Sequence, residues 1–179
     1  MEYSIIQLKR ALKRTEAISI AENWQSNPSE IHKFLSEFFS YPKLTQCKGM
    51  WVVGIIHEKN AGSLIPFHSA IFDIFKMTNE TAVRREIFQI LLTTTQEKIR
   101  AFMMDAAIQC IQNPKSSVAE CHHALQWLLQ PSKNHLEICN ETISALSSTL
   151  HNRSSAWARY AQKQITRLEK LHSLKAHFK

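Results

Sequence analysis

Apolar residues recur along this chain at the spacing of helix faces, and the densest pattern runs from Leu64 to Leu92. Leu64, Ile71, Ile74 and Phe75 line one predicted helix, with Pro66 in its opening turn, where no backbone donor is lost. Polar Thr78 and Asn79 interrupt the pattern. Glu80 then opens a second helix that sets Val83, Ile87, Ile90 and Leu91 at i, i+4, i+7 and i+8, a single apolar stripe. Similar pairs flank this hairpin. Residues 2–24 read as an opening helix, and Asn27-Pro28 starts another with Ile31, Phe34, Leu35 and Phe38 on one face. Tyr41-Pro42 ends it, and 43–58 predicts its partner, with Leu44, Cys47, Trp51 and Ile55 inward. Downstream, 96–112 places Ile99, Phe102, Met103, Ala106 and Cys110 together, Asn113-Pro114 turns the chain, and 116–130 carries Val118, Cys121, Leu125 and Leu129. The last pair is 133–150 (Leu136, Cys139, Ile143, Leu146) and 154–172 (Trp157, Ala161, Ile165, Leu168).

The second helix of each pair begins its stripe at Leu44, Val83, Val118 or Trp157, giving spacings of 39, 35 and 39 residues. Helix-pair solenoids repeat at roughly 40 residues. The pattern predicts an all-α protein, a right-handed α-α superhelix of the HEAT/ARM-like solenoid kind. Nine helices are expected in one domain: a capping helix over 1–26, four pairs over 27–172, and a tail over 173–179. The cap carries Lys9, Arg10, Lys13 and Arg14, as suits the polar outer face of an end repeat.

Composition narrows the picture without changing it. Three glycines in 179 residues leave little room for hairpin turns or glycine-rich ligand loops. The four cysteines show no CxxC spacing, and the opening MEYSIIQLKRALKR places basic residues where a secretory signal needs an apolar run. The longest apolar run, Met50–Ile56, is far short of a membrane span. A cytoplasmic protein with reduced thiols and no membrane contact is expected. The net charge of +7 is unevenly placed. Residues 26–150 balance, whereas 151–179 hold seven basic side chains against Glu169 alone.

Several segments are similar to those of short bacterial HEAT-like proteins, a group often labelled adenylosuccinate lyase. The resemblance runs from Asn27 to about Leu171. It rests on Lys48-Gly49-Met50-Trp51-Val52-Val53, Leu64-Ile65-Pro66-Phe67, Thr81-Ala82-Val83-Arg84-Arg85 and the helix over 154–171, with its Trp157-Ala158-Arg159-Tyr160-Ala161. It implies the helical-repeat fold. The lyase activity in the label has no counterpart in the residues. True lyases of that superfamily are much longer and carry a Ser-Ser-x-Met-Pro-x-Lys-x-Asn loop. Here Ser116-Ser117 precedes Val118, Ser147-Ser148 precedes Thr149 and Ser154-Ser155 precedes Ala156.

Candidate chemistry is sparse. Arg159, Lys163, Arg167 and Lys170 recur at i, i+4, i+8 and i+11, one face of the final helix. Such a face can follow a phosphate backbone or hold an acidic partner, and it equally suits the solvated exterior of a terminal repeat. Arg84 and Arg85 open the central helix. Glu80 precedes Arg84 by four residues, which a surface ion pair of about 0.3–0.5 kcal/mol explains, and Arg85 is a candidate partner-binding residue on a concave side. Cys121, His122, His123, His135 and Cys139 form the one metal-like group. Two of its cysteines lie on apolar stripes, where free thiols pack as small hydrophobes, so no metal and no cofactor are expected. The only aspartates, Asp73 and Asp105, fall on first helices, away from any groove that would hold a flipped base. With no P-loop or nucleophile elbow, no catalytic residue is assigned. The expected function is non-catalytic binding of a protein or peptide partner on the concave face formed by second helices. The alternative is nucleic-acid binding through the basic C-terminal helix.

Overall fold

The computed structural model describes Leu8 and residues 12–176, and most of the capping segment, with Lys9 and Arg10, lies outside the described residues. All regular structure among the described residues is helical: nine α-helices and three 3-10 segments, with no strand. None of these helices is long and apolar enough to cross a membrane. The chain divides into two compact units, Met1–Gln96 and Glu97–Lys179.

The first unit holds α1 (Arg14–Ser26), α2 (Pro28–Ser36), α3 (Lys43–Lys59), α4 (His68–Met77) and α5 (Thr81–Ile90). Pro28 begins α2 at its first position and Pro42 caps α3, each placed where its missing donor costs nothing. Leu64–Phe67, read from sequence as the start of one continuous helix, belongs to a separate 3-10 turn, Ala61–Phe67, which contains Pro66. The α4–α5 hairpin otherwise follows its pattern: Ile71, Ile74, Phe75, Val83, Ile87 and Ile90 are all buried.

Helix α3 departs from its predicted stripe. Leu44 is 62 % exposed, and Cys47 and Trp51 are half-buried. The buried positions are instead Thr45, Gln46, Gly49, Met50 and all of Val52–Ile56. The reason is that α3 packs against both α1 and α5, so most of its circumference is interior and its apolar residues outnumber any one face. Gly49 lets this happen. A Cβ there would run into the ring of Phe34. That ring is held from other sides by Trp24 at 5.2 Å, Phe38 at 5.5 Å and Tyr41 at 5.9 Å between centroids.

The second unit is α6 (Glu97–Gln112), α7 (Val118–Ser132), α8 (Leu136–Ser147) and α9 (Ser155–Ala176), each packed on its neighbour in sequence. Ser117 caps α7, its hydroxyl accepting from the Glu120 amide at 3.1 Å. The predicted stripe of α9 is fully buried at Trp157, Ala161, Ile165 and Leu168. Five other stripe positions differ: Phe102, Val118 and Leu136 are 43 %, 44 % and 56 % exposed, Val118 and Leu136 standing at the first residue of their helices, and Leu129 and Ile143 are half-buried. Helix α9 also continues to Ala176, four residues into the segment read as a tail.

An interior glycine normally weakens a helix by about 1 kcal/mol relative to alanine. Gly49→Ala is expected to reverse that sign, destabilising the chain by about 1–3 kcal/mol, because the Phe34 ring has no free direction to move. Urea denaturation checks it, and a stabilised variant would show that the aromatic cluster yields.

Candidate functional site

The predicted basic residues Arg159, Lys163, Arg167 and Lys170 are all exposed on α9. They line one open cleft of about 660 Å³, together with neutral Gln162 and Thr166. At 1.5 Å per residue, the cations span about 16 Å along the helix axis. Among the described residues none of the four has a carboxylate within 4 Å, whereas Lys43, Lys59, Lys76 and Arg85 all do. Gln164, buried on the adjoining face, contributes to the same cleft, and its Oε1 has no hydrogen-bond partner. Arg167 also reaches a smaller recess of about 110 Å³, shared with Lys133 and Gln130.

Arg85 belongs to the first unit and not to this group. Its guanidinium binds Glu86 Oε1 through Nη2 at 2.7 Å and Nε at 3.2 Å. Glu86 is itself 9 % exposed and packs on Gly54 of α3. Burial raises its carboxyl above the usual range, outweighing the pull of Arg85. Glu80 binds Lys43 of α3 at 2.6 Å, and the Arg84 guanidinium lies 4.2 Å over the Phe75 ring. Arg85 therefore starts out committed to a structural carboxylate, and a partner would have to share it.

The metal-like group is not brought together. Cys121 pairs instead with Cys110, their sulfurs 4.0 Å apart. His135 caps α8, and His122 packs against Tyr160 at 5.2 Å. Among the described residues no three His, Cys, Asp or Glu side chains converge as metal ligands.

Two groupings escaped sequence reasoning. Arg153, in the α8–α9 loop, sends its guanidinium to the turn after α6. It donates to the carbonyls of Ser116 at 2.7 Å, Ile111 at 3.0 Å, Cys110 at 3.4 Å and also Asn113. These include α6's last carbonyls, which have no helical partner and carry the negative end of its dipole. The second grouping is His57 and His68 in the first unit. His57 Nδ1 and His68 Nε2 are both buried without a hydrogen-bond partner. His68 is 1 % exposed, a sign that an apolar-face histidine in α4 sits in the core.

Comparison with family models, curated proteins and solved structures finds no match to this chain.

Burial holds the His68 imidazole below its usual range, with the neighbouring His57 adding to the effect. His57 is lowered likewise by burial, against the opposing Glu58. The unfolded chain therefore binds more protons than the fold once pH drops below about 6.5, and stability falls with it. Glu86 works in the opposite sense, its contribution being present below about 4.5 and lost as pH rises through its raised value. His68→Phe should accordingly gain stability relative to wild type as pH is lowered from about 7 to about 5. Urea midpoints across that range test this, and parallel curves would place the acid sensitivity elsewhere.

Proposed function

We propose that the chain is a non-catalytic helical-repeat module that binds nucleic acid through the cationic face of α9. The observation that carries this reading is the cleft lined by Arg159, Lys163, Arg167 and Lys170, four cations without a carboxylate partner among the described residues. A span of about 16 Å matches roughly five base steps of a strand at 3.4 Å each. Gln162 and Thr166 supply neutral donors of the kind that accompany phosphate contacts. Each cation that meets a phosphate releases a counterion, so affinity falls linearly with salt on logarithmic axes. The HEAT/ARM-like superhelix belongs to the same proposal, supported by the starts of α3, α5, α7 and α9 at Lys43, Thr81, Val118 and Ser155, which lie 38, 37 and 37 residues apart.

Labelled duplex and single-stranded DNA titrated across a salt series tests the reading. Wild type is expected to bind at low salt. Arg159/Lys163/Arg167→Ala should lower the salt slope by about 2–3, near 0.7–0.9 for each phosphate no longer neutralised. Absence of binding at low salt, or an unchanged slope in the variant, makes the face a solvated exterior.

A second reading, binding of a protein or peptide, is supported by the outward line of Leu44, Cys47 and Trp51 on α3. Glu80, Lys43 and Arg85 are all charged groups close enough to act on the Cys47 thiol, Glu80 most strongly of the three, so this line has a margin of mixed charge. Apolar residues ringed by charge are a common form of docking surface. Displayed peptides selected on the wild-type chain should bind Leu44→Glu/Trp51→Ala about tenfold or more weakly, as for truncated interface anchors. Equal binding to both proteins would remove that surface from consideration.

A further inference from the structure

Cys110, near the end of α6, and Cys121, in the first turn of α7, flank the turn that Arg153 ties down. Both are free thiols, 4 % and 0 % exposed, with sulfurs 4.0 Å apart. The Cys121 thiol donates to the Cys110 carbonyl at 3.4 Å, the same carbonyl that accepts from Arg153. Two thiols and a guanidinium thus meet at one short turn. A disulfide needs its sulfurs near 2.05 Å, so the pair must close by about 2 Å.

We propose that Cys110 and Cys121 are a reversible thiol-oxidation site, in which Cys121 reacts with hydrogen peroxide and Cys110 resolves the product into an intrachain disulfide across the α6–α7 turn. The roles follow from the geometry: the Cys121 proton lies on the Cys110 carbonyl, which leaves the Cys110 thiol to donate to the Cys121 sulfur beside Arg153. The hydrogen bond from Cys110 and then the charge of Arg153 favour the Cys121 thiolate against the cost of burial. Cys110 is pushed the other way, by that same hydrogen bond and by burial, and keeps its proton. The Cys121 thiolate attacks one peroxide oxygen, the O–O bond breaks, and the departing hydroxide leaves as water after taking a proton. Cys121 is then a sulfenic acid. The Cys110 sulfur attacks the Cys121 sulfur while its proton passes to the departing hydroxyl. The S–O bond breaks, a second water leaves, and the S–S bond forms. Two thiols lose two electrons in all, and one peroxide becomes two waters.

Cys139 is the internal control. It is 1 % exposed in the same unit, and burial raises its thiol. The full-length protein is exposed to hydrogen peroxide under native conditions, quenched with catalase, alkylated in denaturant and mapped by mass spectrometry. The expected product is a Cys110–Cys121 cross-link, reversed by dithiothreitol, that forms at least tenfold faster than Cys139 is consumed. Oxidised protein should melt higher than reduced protein, because the bridge constrains the unfolded chain. Cys110→Ser should accumulate a dimedone-reactive sulfenic acid on Cys121. Equal consumption of Cys121 and Cys139, or an uncross-linked Cys121 once peroxide has oxidised it, would overturn the proposal. Both readouts come from wild type, so they hold whatever the serine variant does to folding.

Discussion

Arg153 holds the second unit together where a helical hairpin is weakest. An α-helix leaves its last carbonyls without donors, and α6 ends in a turn of only a few residues before α7 begins. The Arg153 guanidinium meets that deficit by donating to four carbonyls from a position about forty residues away in sequence. Its face lies 5.5 Å from the Trp157 ring, and Trp157 in turn donates from Nε1 to Thr149 at 2.9 Å. The start of α9 is thereby fixed to the end of α6 through one cation and one indole. Net hydrogen bonds to a charged group contribute about 1.5–3 kcal/mol, more than an exposed ion pair such as Arg14–Glu58 at 3.8 Å can supply.

How far the sequence discloses this depends on how one-sided each helix is. Helix α9 has one buried stripe and one charged face, and both follow directly from residue spacing: Trp157, Ala161, Ile165 and Leu168 inside, Arg159, Lys163 and Arg167 outside. The α4–α5 hairpin is legible for the same reason. Helix α3 is not, because a helix enclosed on two sides has several apolar faces and periodicity cannot rank them. Leu44 and Trp51 carry the expected spacing, yet the interior takes Met50, Val52, Val53 and Ile56. The two glycines of that helix are the more telling signal. Gly49 and Gly54 mark where Phe34 and Glu86 come close to the α3 backbone, and a close approach identifies the inward side better than hydrophobicity does.

The candidate site divides along the same line. A row of cations on one helix is a local property, readable from spacing, and the structure adds the cleft and the absence of carboxylates near it among the described residues. Arg153 and the Cys110–Cys121 pair are tertiary properties. In sequence, Cys121 groups with His122, His135 and Cys139, which share helices or helix ends with it or each other. Its actual partner lies across the Asn113-Pro114 turn. Residues placed on either side of a tight helical turn are brought together by the hairpin itself, and that geometry follows from the predicted helix ends.

What the second unit offers chemically is set by where its positive charge is spent. Arg153 is consumed internally: its donors are on carbonyls, its Nε is buried and unpaired, and its field falls on Cys121. The four cations of α9 are uncommitted to any described carboxylate and stand in solvent around an open cleft. Two kinds of reactivity follow from one composition. Buried charge beside a thiol tunes a covalent reaction, because low dielectric strengthens its effect at short range. Exposed charge in a row gives a long-range attraction that salt weakens, since the Debye length near 10 Å at 0.1 M is shorter than the row itself. Of the basic residues in this unit's last segment, Arg153 is turned onto backbone carbonyls while Arg159, Lys163, Arg167 and Lys170 stand exposed, and only the exposed row is visible in the sequence as a charge pattern.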